Sequence, residues 1–349
     1  MIDWRMGYSS TWRVFRVGTD TWADSTELRG VSSVSIERTC DEDAPILERG
    51  SMSVDMDPSE QFEEGYYRVV MTATQNGISE RVEVATMLCS STSFETNRNV
   101  AAHDIECRSV LYPASVTLAD VGGYAPKGVD AVQYVASMLE GCINAPIETE
   151  GSFTLDDHYV FDEGSYVLQA VWKLLDAGSY VIQITGGGIV RIVPKPTEPS
   201  LMLDHANARL LHNGVSGTLD YSEIHNRYYA SDNGVVAVAV NDDPTSITST
   251  VRRGWTSDEY DSSPTRVNGE TLQAYAERKL EEQSLVTDDR TYVREFSPDV
   301  LPYSVVHGSM ELAGLSGDMR VVSQSLECGR GITVTENARR EVYTWRRTS

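Results

Sequence analysis

The chain reads as a mainly β protein with a smaller α+β insert, and three observations carry that reading. Two long stretches, 12–110 and 210–349, alternate apolar and polar residues with the period of two that marks a half-buried strand. The segment between them switches to helical spacing and then to a tight hairpin. The net charge is -23, and no catalytic constellation accompanies it. Such a chain suggests something that builds: a structural subunit of a ring or tube.

The first β stretch opens on Trp12-Arg13-Val14-Phe15-Arg16-Val17, with period-two alternation. After a loop over 18–30 comes Val31–Arg38, in which Val34 and Ile36 share one face. An acidic loop, Asp41-Glu42-Asp43-Ala44-Pro45, separates it from a strand over Gly50–Asp57. Tyr66–Ala73 and Arg81–Met87 flank Gln75-Asn76-Gly77. Asn-Gly between alternating runs predicts a hairpin, because both residues accept positive φ. His103–Val110 closes the stretch.

The middle segment predicts two helices. Asp130 can cap the first, which carries Val132, Val135, Ala136 and Leu139 on one face and stops near Gly141. Ser165 can cap the second, with Leu168, Val171, Trp172 and Leu175 inward and Gly178 at its end. Tyr180–Ile184 and Ile189–Val193 then flank Thr185-Gly186-Gly187-Gly188, a second hairpin. Pro194, Pro196 and Pro199 break the chain, and a domain boundary is expected there.

The second β stretch starts near Leu210. Ile224–Ala230 and Gly234–Val240 flank Ser231-Asp232-Asn233, a third hairpin. A helix follows Asn268-Gly269-Glu270, with Leu272, Tyr275, Ala276 and Leu280 as its apolar stripe. Strands are expected at Ser304–Leu312, Met319–Leu326, Gly331–Thr335 and Glu341–Trp345. The two β stretches are loosely alike, as a duplicated domain would be. The expected division is 1–115, 116–200 and 201–349.

At 349 residues the chain is too long for one ordinary core. Apolar residues make up 40% and charged residues 23%, the balance of a folded globular protein. No run approaches the ~18 consecutive apolar residues of a membrane span. The start, Met1-Ile2-Asp3-Trp4-Arg5, lacks a basic segment followed by an apolar run, so no signal peptide is expected. Asp and Glu number 52 against 29 Lys and Arg. Proteins that grip DNA present Lys and Arg to its phosphates, so this chain is expected to repel nucleic acid. Solubility is the plainer meaning of the acidity; a surface that lets a polyanion pass without sticking is the sharper one. The last segment, with Arg339, Arg340, Arg346 and Arg347, runs the other way.

Candidate chemistry is thin. Cys40, Cys89, Cys107, Cys142 and Cys328 are scattered and odd in number, with no Cys-x-x-Cys pair, so free thiols in a reducing compartment are expected and neither a disulfide framework nor a zinc site. Gly186-Gly187-Gly188 is followed by a strand, whereas a phosphate loop needs a helix N-terminus behind it, so it reads as a turn. Asp156, Asp157, His158, Asp162 and Glu163 cluster without calcium-loop spacing, as do Asp258, Glu259 and Asp261; both read as solvated loops, with a weak calcium site as the alternative. His205, His212 and His225 form no His-Glu-x-x-His, and no Gly-x-Ser-x-Gly elbow exists. A carboxylate pair for glycoside hydrolysis is set by geometry rather than spacing. Among 52 acidic residues the existence of some pair carries no weight. Trp4, Tyr8, Trp12 and Trp22 crowd the N-terminus with Arg5, Arg13 and Arg16. Strand packing is the plain reading; an inter-subunit contact is the functional one, since aromatics and Arg are enriched at interfaces. Trp4, Trp12, Arg13, Arg346 and Arg347 are the candidate interface residues.

Several of these patterns together resemble the tail-hub (baseplate-hub) proteins of tailed bacteriophages and related injection machines. Val31–Arg38, the acidic loop Asp41–Pro45 and Gly50-Ser51-Met52 look like that family's first-barrel opening. Val129–Leu139, Ser165–Gly178 and the hairpin ending Val193-Pro194-Lys195-Pro196 resemble its middle module, and Thr271–Gln283 resembles the second barrel's helix. The likeness covers most of the chain through degenerate motifs. It implies two tube-like β-barrel domains, 1–115 and 201–349, flanking the helix–helix–hairpin module. It further implies a homotrimer whose six barrels ring a DNA channel, joining a tail tube or distal tail protein to a central fibre or spike, near the tape measure protein. The implied location is the virion tail tip, after synthesis in the host cytoplasm, with no membrane insertion, cofactor or enzymatic activity. Many hub proteins continue into a fibre or enzymatic region; here the sequence stops at Ser349, so the fibre or spike is expected to be a separate protein, docked with help from Arg346 and Arg347. Two alternatives stand beside this: a carbohydrate-active or peptidoglycan-degrading enzyme of the tail tip, and a host-surface adhesin.

Overall fold

A computed structural model describes residues 2–4, 7–41, 44–60, 62–96, 100–119, 123–204, 214–262, 264, 270–310 and 315–346. The first stretch contributes β1 (Ser9–Val17), β2 (Asp24–Leu28), β3 (Val31–Asp41), β4 (Ala44–Met56), β5 (Gly65–Gln75), β6 (Ile78–Thr96) and β7 (Ala101–Arg108). The middle contributes α1 (Tyr112–Val116), β8 (Tyr124–Ala125), α2 (Ala131–Glu140), β9 (Ile147–Thr149), β10 (Tyr159–Val160), α3 (Val167–Ala177), β11 (Tyr180–Ile184), β12 (Val190–Pro194) and β13 (Pro199–Leu203). Next come β14 (Ser216–Leu219), β15 (Arg227–Asp232), β16 (Val235–Val240), α4 (Thr250–Arg253), β17 (Asp258–Asp261) and α5 (Leu272–Gln283). β18 (Leu285–Glu295), β19 (Val305–Met310), β20 (Leu315–Cys328) and β21 (Ile332–Tyr343) finish it. The protein is mainly β with a small helical part. No helix among the described residues is long and apolar enough to cross a membrane.

The chain forms two compact units, Met1–Val215 with Thr291–Ala338, and Ser216–Arg290 with Arg339–Ser349. In the first unit one sheet runs in the order β21-β20-β3-β4-β7-β6-β5-β1-β2. The two strand-rich stretches meet inside this sheet, where β20 pairs antiparallel with β3 from Ser323↔Thr39 to Cys328↔Val34. The reason lies in the shared phase of the two strands. Val34 and Ile36 of β3 stand opposite Cys328 and Leu326 of β20, and all four bury into one core with Val14, Met71, Val84 and Ile105.

The β5–β6 hairpin turns on Asn76 and Gly77 with φ of 51° and 79°, the pair of left-handed residues that a type I′ turn demands. In the middle segment α2 begins as expected: the Asp130 carboxylate accepts from the Val132 N–H at 3.0 Å, and Gly141 ends the helix. α3 starts one residue later than its sequence suggests. Ser165 is held before the helix, its carbonyl accepting the Ala119 N–H at 2.8 Å, so Tyr166 becomes the cap and its N–H donates to Gln169 Oε1 at 3.1 Å. Val132, Val135, Ala136 and Leu139 of α2 bury together with Leu168, Val171, Leu174 and Leu175 of α3. Trp172 leaves that stripe, half-buried and stacked on Tyr303 at 6.4 Å between centroids. β11 and β12 form the expected hairpin, joined by the parallel β9.

The second unit carries a three-stranded sheet in the order β16-β15-β17, with β17 parallel to β15. Asn233 and Gly234, at φ of 49° and 81°, turn β15 into β16. α5 packs Tyr275, Ala276 and Leu280 against Tyr228, Ala230, Ala237 and Ala239. Its cap is Thr271, whose hydroxyl accepts the Ala274 N–H at 3.1 Å. Leu210, Asn268 and Gly269, read from sequence as the flanks of this region, lie outside the described residues.

Candidate functional site

The seam where the two β stretches join is lined by a row of buried polar side chains, all within the first unit. Arg38 on β3 stands opposite Glu48 on β4, with Nε 2.7 Å from Oε1 and both side chains at 2% exposure or less. Arg38 Nη2 also donates to the Val84 carbonyl at 2.9 Å. On the other flank of β3, Gln324 of β20 stands opposite Arg38. Gln324 Nε2 donates to Glu336 Oε1 at 2.6 Å and to the Val300 carbonyl at 3.0 Å. Glu336 on β21 is held by Arg294 of β18, whose Nε donates to Oε2 at 2.8 Å and whose Nη2 reaches Oε1; both side chains are wholly buried. Glu48, Arg38, Gln324, Glu336 and Arg294 thus form a row across five strands, two ion pairs with a neutral amide between them.

The two carboxylates of the row differ. Burial pushes Glu48 above the usual carboxylate range, more than Arg38 and Ser109 offset. Burial is also the largest influence on Glu336, but Arg294, Gln324 and Tyr292 together hold it below that range.

A second buried arginine docks the β11–β12 hairpin. Arg68 on β5 donates through Nη1 to Asp24 Oδ1 at 2.8 Å, through Nε to Thr86 Oγ1 at 3.0 Å, and through Nη2 to the Gly187 and Trp22 carbonyls at 2.9 and 3.2 Å. Trp22 Nε1 donates to the Gly187 carbonyl at 2.8 Å, and the Thr86 hydroxyl to the Gly186 carbonyl at 2.9 Å. The triple glycine is therefore a turn, as its sequence context indicates, and it presents carbonyls to cationic and hydroxyl donors rather than amides to an anion. Its glycines are required by approach: a β-carbon on Gly186 would lie 1.9 Å from the Glu83 carbonyl oxygen.

The acidic loops are tied locally. Lys173 pairs with Asp162, and the His158 N–H donates to Asp157 Oδ1 at 2.8 Å. In the second unit Asp258 accepts both Nε and Nη2 of Arg227 at 2.7 Å, Glu259 lies 3.3 Å from His225, and Asp261 accepts the Tyr275 hydroxyl at 2.6 Å. Among the described residues no three His, Cys, Asp or Glu side chains gather as a metal site. His205 and His212 lie outside the described residues.

Of the candidate interface residues, Trp4, Trp12 and Arg13 lie in the first unit and Arg346 in the second. Trp4 is half-buried, edge-on to Tyr8 at 5.2 Å. Trp12 is half-buried against the same core, with Nε1 donating to the Gly329 carbonyl at 2.8 Å. Arg13 is exposed, 3.5 Å from Glu27. In the second unit Arg346 is exposed and lies over the Tyr343 ring at 4.5 Å. The basic end is partly used within that unit, since Arg339 pairs with Asp289 and Arg340 with the buried Asp288, each at 2.8 Å. Arg347 and Arg5 lie outside the described residues.

Sequence reasoning missed Arg38, Arg68, Gln324, Arg294 and Glu336. A signal was present: Arg38 follows Val34 and Ile36 in the inward phase of β3, and Glu336 follows Ile332 and Val334 in that of β21.

No protein-family model and no curated protein matches the chain. Solved structures do. A 43 kDa tail protein of prophage MuSo2 from Shewanella oneidensis is 12% identical with a TM-score of 0.58, over 96% of this chain and 98% of that one. A tail protein from Neisseria meningitidis MC58 is 14% identical with a TM-score of 0.58, over 97% and 98%. A chain of a PdpA–VgrG complex is 8% identical with a TM-score of 0.53, over 96% of this chain and 65% of that one. The chain therefore has the fold of these tail proteins, in line with the tail-hub resemblance carried by its sequence.

Proposed function

We propose that the protein is a structural tail-hub subunit at the distal end of a bacteriophage tail tube. The observation that carries this is the single sheet in which β3 of the first strand-rich stretch pairs with β20 of the second. One subunit then supplies two adjacent segments of a wall, as a ring needs if three copies are to present six similar faces. In this reading 1–115 and 201–349 are the two tube-like barrel domains and 116–200 is the module between them. The homotrimer joins the tail tube or distal tail protein to a central fibre or spike, beside the tape measure protein. The net charge of -23 supports a lumen that repels DNA and lets it pass during ejection. Arg13 and Arg346, exposed on the first and second units, flank subunit contacts together with Trp4, Trp12 and Arg347. The role is structural rather than enzymatic, and the internal ties of the acidic loops support that. The assembled protein resides in the virion tail tip after synthesis in the host cytoplasm.

Light scattering on the purified protein across a concentration series tests the stoichiometry. A mass of three subunits at high concentration is expected. A stable dimer or tetramer would overturn the trimer.

A further inference from the structure

The five cysteines carry no spacing signal, yet the fold brings two of them together. β6 and β7 are antiparallel neighbours, and Cys89 stands opposite Cys107 in register. Directly opposed residues in such a pair have α-carbons about 4.5–5.5 Å apart, inside the ~4.4–6.8 Å that a disulfide spans. The two sulfurs are 3.0 Å apart. Both side chains are buried in the sheet's core, at 1% and 3% exposure. On the far side of β7, Gly50 is the register partner of Cys107, and a β-carbon there would sit 3.4 Å from Cys107 Cβ. The glycine leaves the thiol pair uncrowded. Cys40 and Cys142 are committed elsewhere, their thiols donating to the carbonyls of Val321 and of Met138 and Leu139.

We infer that Cys89 and Cys107 are a redox modification site, forming an intrachain disulfide that pins β6 to β7 when the folded protein meets a peroxide. The site does not depend on the tail reading. In the first step the sulfur of one cysteine, as thiolate, attacks a peroxide oxygen. The O–O bond breaks, an S–O bond forms, and the departing hydroxide takes up the proton lost by the thiol and leaves as water, giving a sulfenic acid. The second thiol then attacks the sulfenic sulfur. The S–S bond forms, the S–O bond breaks, and the second water carries off the thiol proton. Two thiols have lost one electron pair and hydrogen peroxide has become two waters. Burial and the neighbouring thiol hold the Cys89 thiol well above its usual range, so thiolate is scarce and the rate should rise with pH. Burial also favours a small oxidant over a bulky disulfide.

The test uses the full-length, reduced, folded protein. It is exposed to hydrogen peroxide, alkylated in denaturant, and read by intact mass and peptide mapping. The expected result is two fewer alkylated thiols than the five in the sequence, with one peptide joining Cys89 to Cys107. A rise in melting temperature that a reducing agent reverses should accompany it. The Cys107→Ala variant, treated in the same way, should form no link. Five alkylated thiols after treatment, a link through Cys40, Cys142 or Cys328, or oxygen addition at single cysteines with no crosslink would each overturn the assignment.

Discussion

Arg38 and Gln324 stand directly opposite each other across the β3–β20 pair, and between them they tie two buried carboxylates from opposite ends of the sequence. Arg38 holds Glu48, 10 residues further along the chain, and Gln324 holds Glu336. The joint between the two strand-rich stretches is thus made of charge as well as apolar burial. That makes it sensitive to single substitutions in a way that an all-apolar seam is not.

Removing one partner of the wholly buried Arg294–Glu336 pair leaves an uncompensated charge, which typically costs about 3–5 kcal/mol. Glu336→Ala should show a loss of this size in urea unfolding, read on the transition of the first unit. The double variant Arg294→Met with Glu336→Leu should recover much of it, because paired apolar replacements of a buried ion pair are often near neutral. A single variant within about 0.5 kcal/mol of wild type, the range of an ordinary surface change, would show that the pair holds nothing together.

The two carboxylates of the row predict opposite pH behaviour. Glu336 lies below the usual range in the folded protein, so its contribution is present above an unfolded value near ~4.3 and is lost as pH falls through its folded value. The stability gap between wild type and Glu336→Gln should shrink in acid. Glu48 lies above the usual range, so its favourable contribution is present below ~4.3 and is lost as pH rises through its folded value. Glu48→Gln should therefore gain on wild type as pH rises through that window. Parallel pH profiles for the two variants would contradict both assignments.

Glycine substitutions separate close approach from turn strain. A β-carbon on Gly186 meets the Glu83 carbonyl oxygen at 1.9 Å, so Gly186→Ala must displace the β11–β12 hairpin or β6. Gly77→Ala meets open space and carries only the cost of left-handed backbone, roughly 1–2 kcal/mol. Thermal unfolding should rank Gly186→Ala well below Gly77→Ala; the reverse order would mean the hairpin is not docked on β6.

The subunit-contact proposal has its own signature. Arg13 and Arg346 are exposed, so charge reversal at either should move monomer stability by less than about 0.5 kcal/mol. It should nevertheless weaken self-association in sedimentation experiments. Wild-type association in the Arg13→Glu and Arg346→Glu variants would remove both residues from the interface.

The sequence was most legible where a local rule was sufficient. Asn76-Gly77 specified its turn, Asp130 its helix start, and Tyr275, Ala276 and Leu280 their buried stripe, with Leu272 half-buried at its edge. It was least legible where partners are distant. Nothing local tells β3 that its neighbour is β20, 292 residues on at the hydrogen bond from the Ser35 hydroxyl to Glu327. The buried row was half visible: Arg38 and Glu336 sit in inward phase among apolar residues, which flags a paired charge, but the pairing itself is set by sheet order. Cys89 and Cys107 gave no signal because their proximity follows from register alone.

The most direct test of the central claim is electron microscopy of the purified protein at high concentration, with class averages examined for symmetry. Three-fold rings with an open centre and six similar lobes are the expected result. Closed particles of another symmetry, with no axial opening, would contradict the tail-hub account.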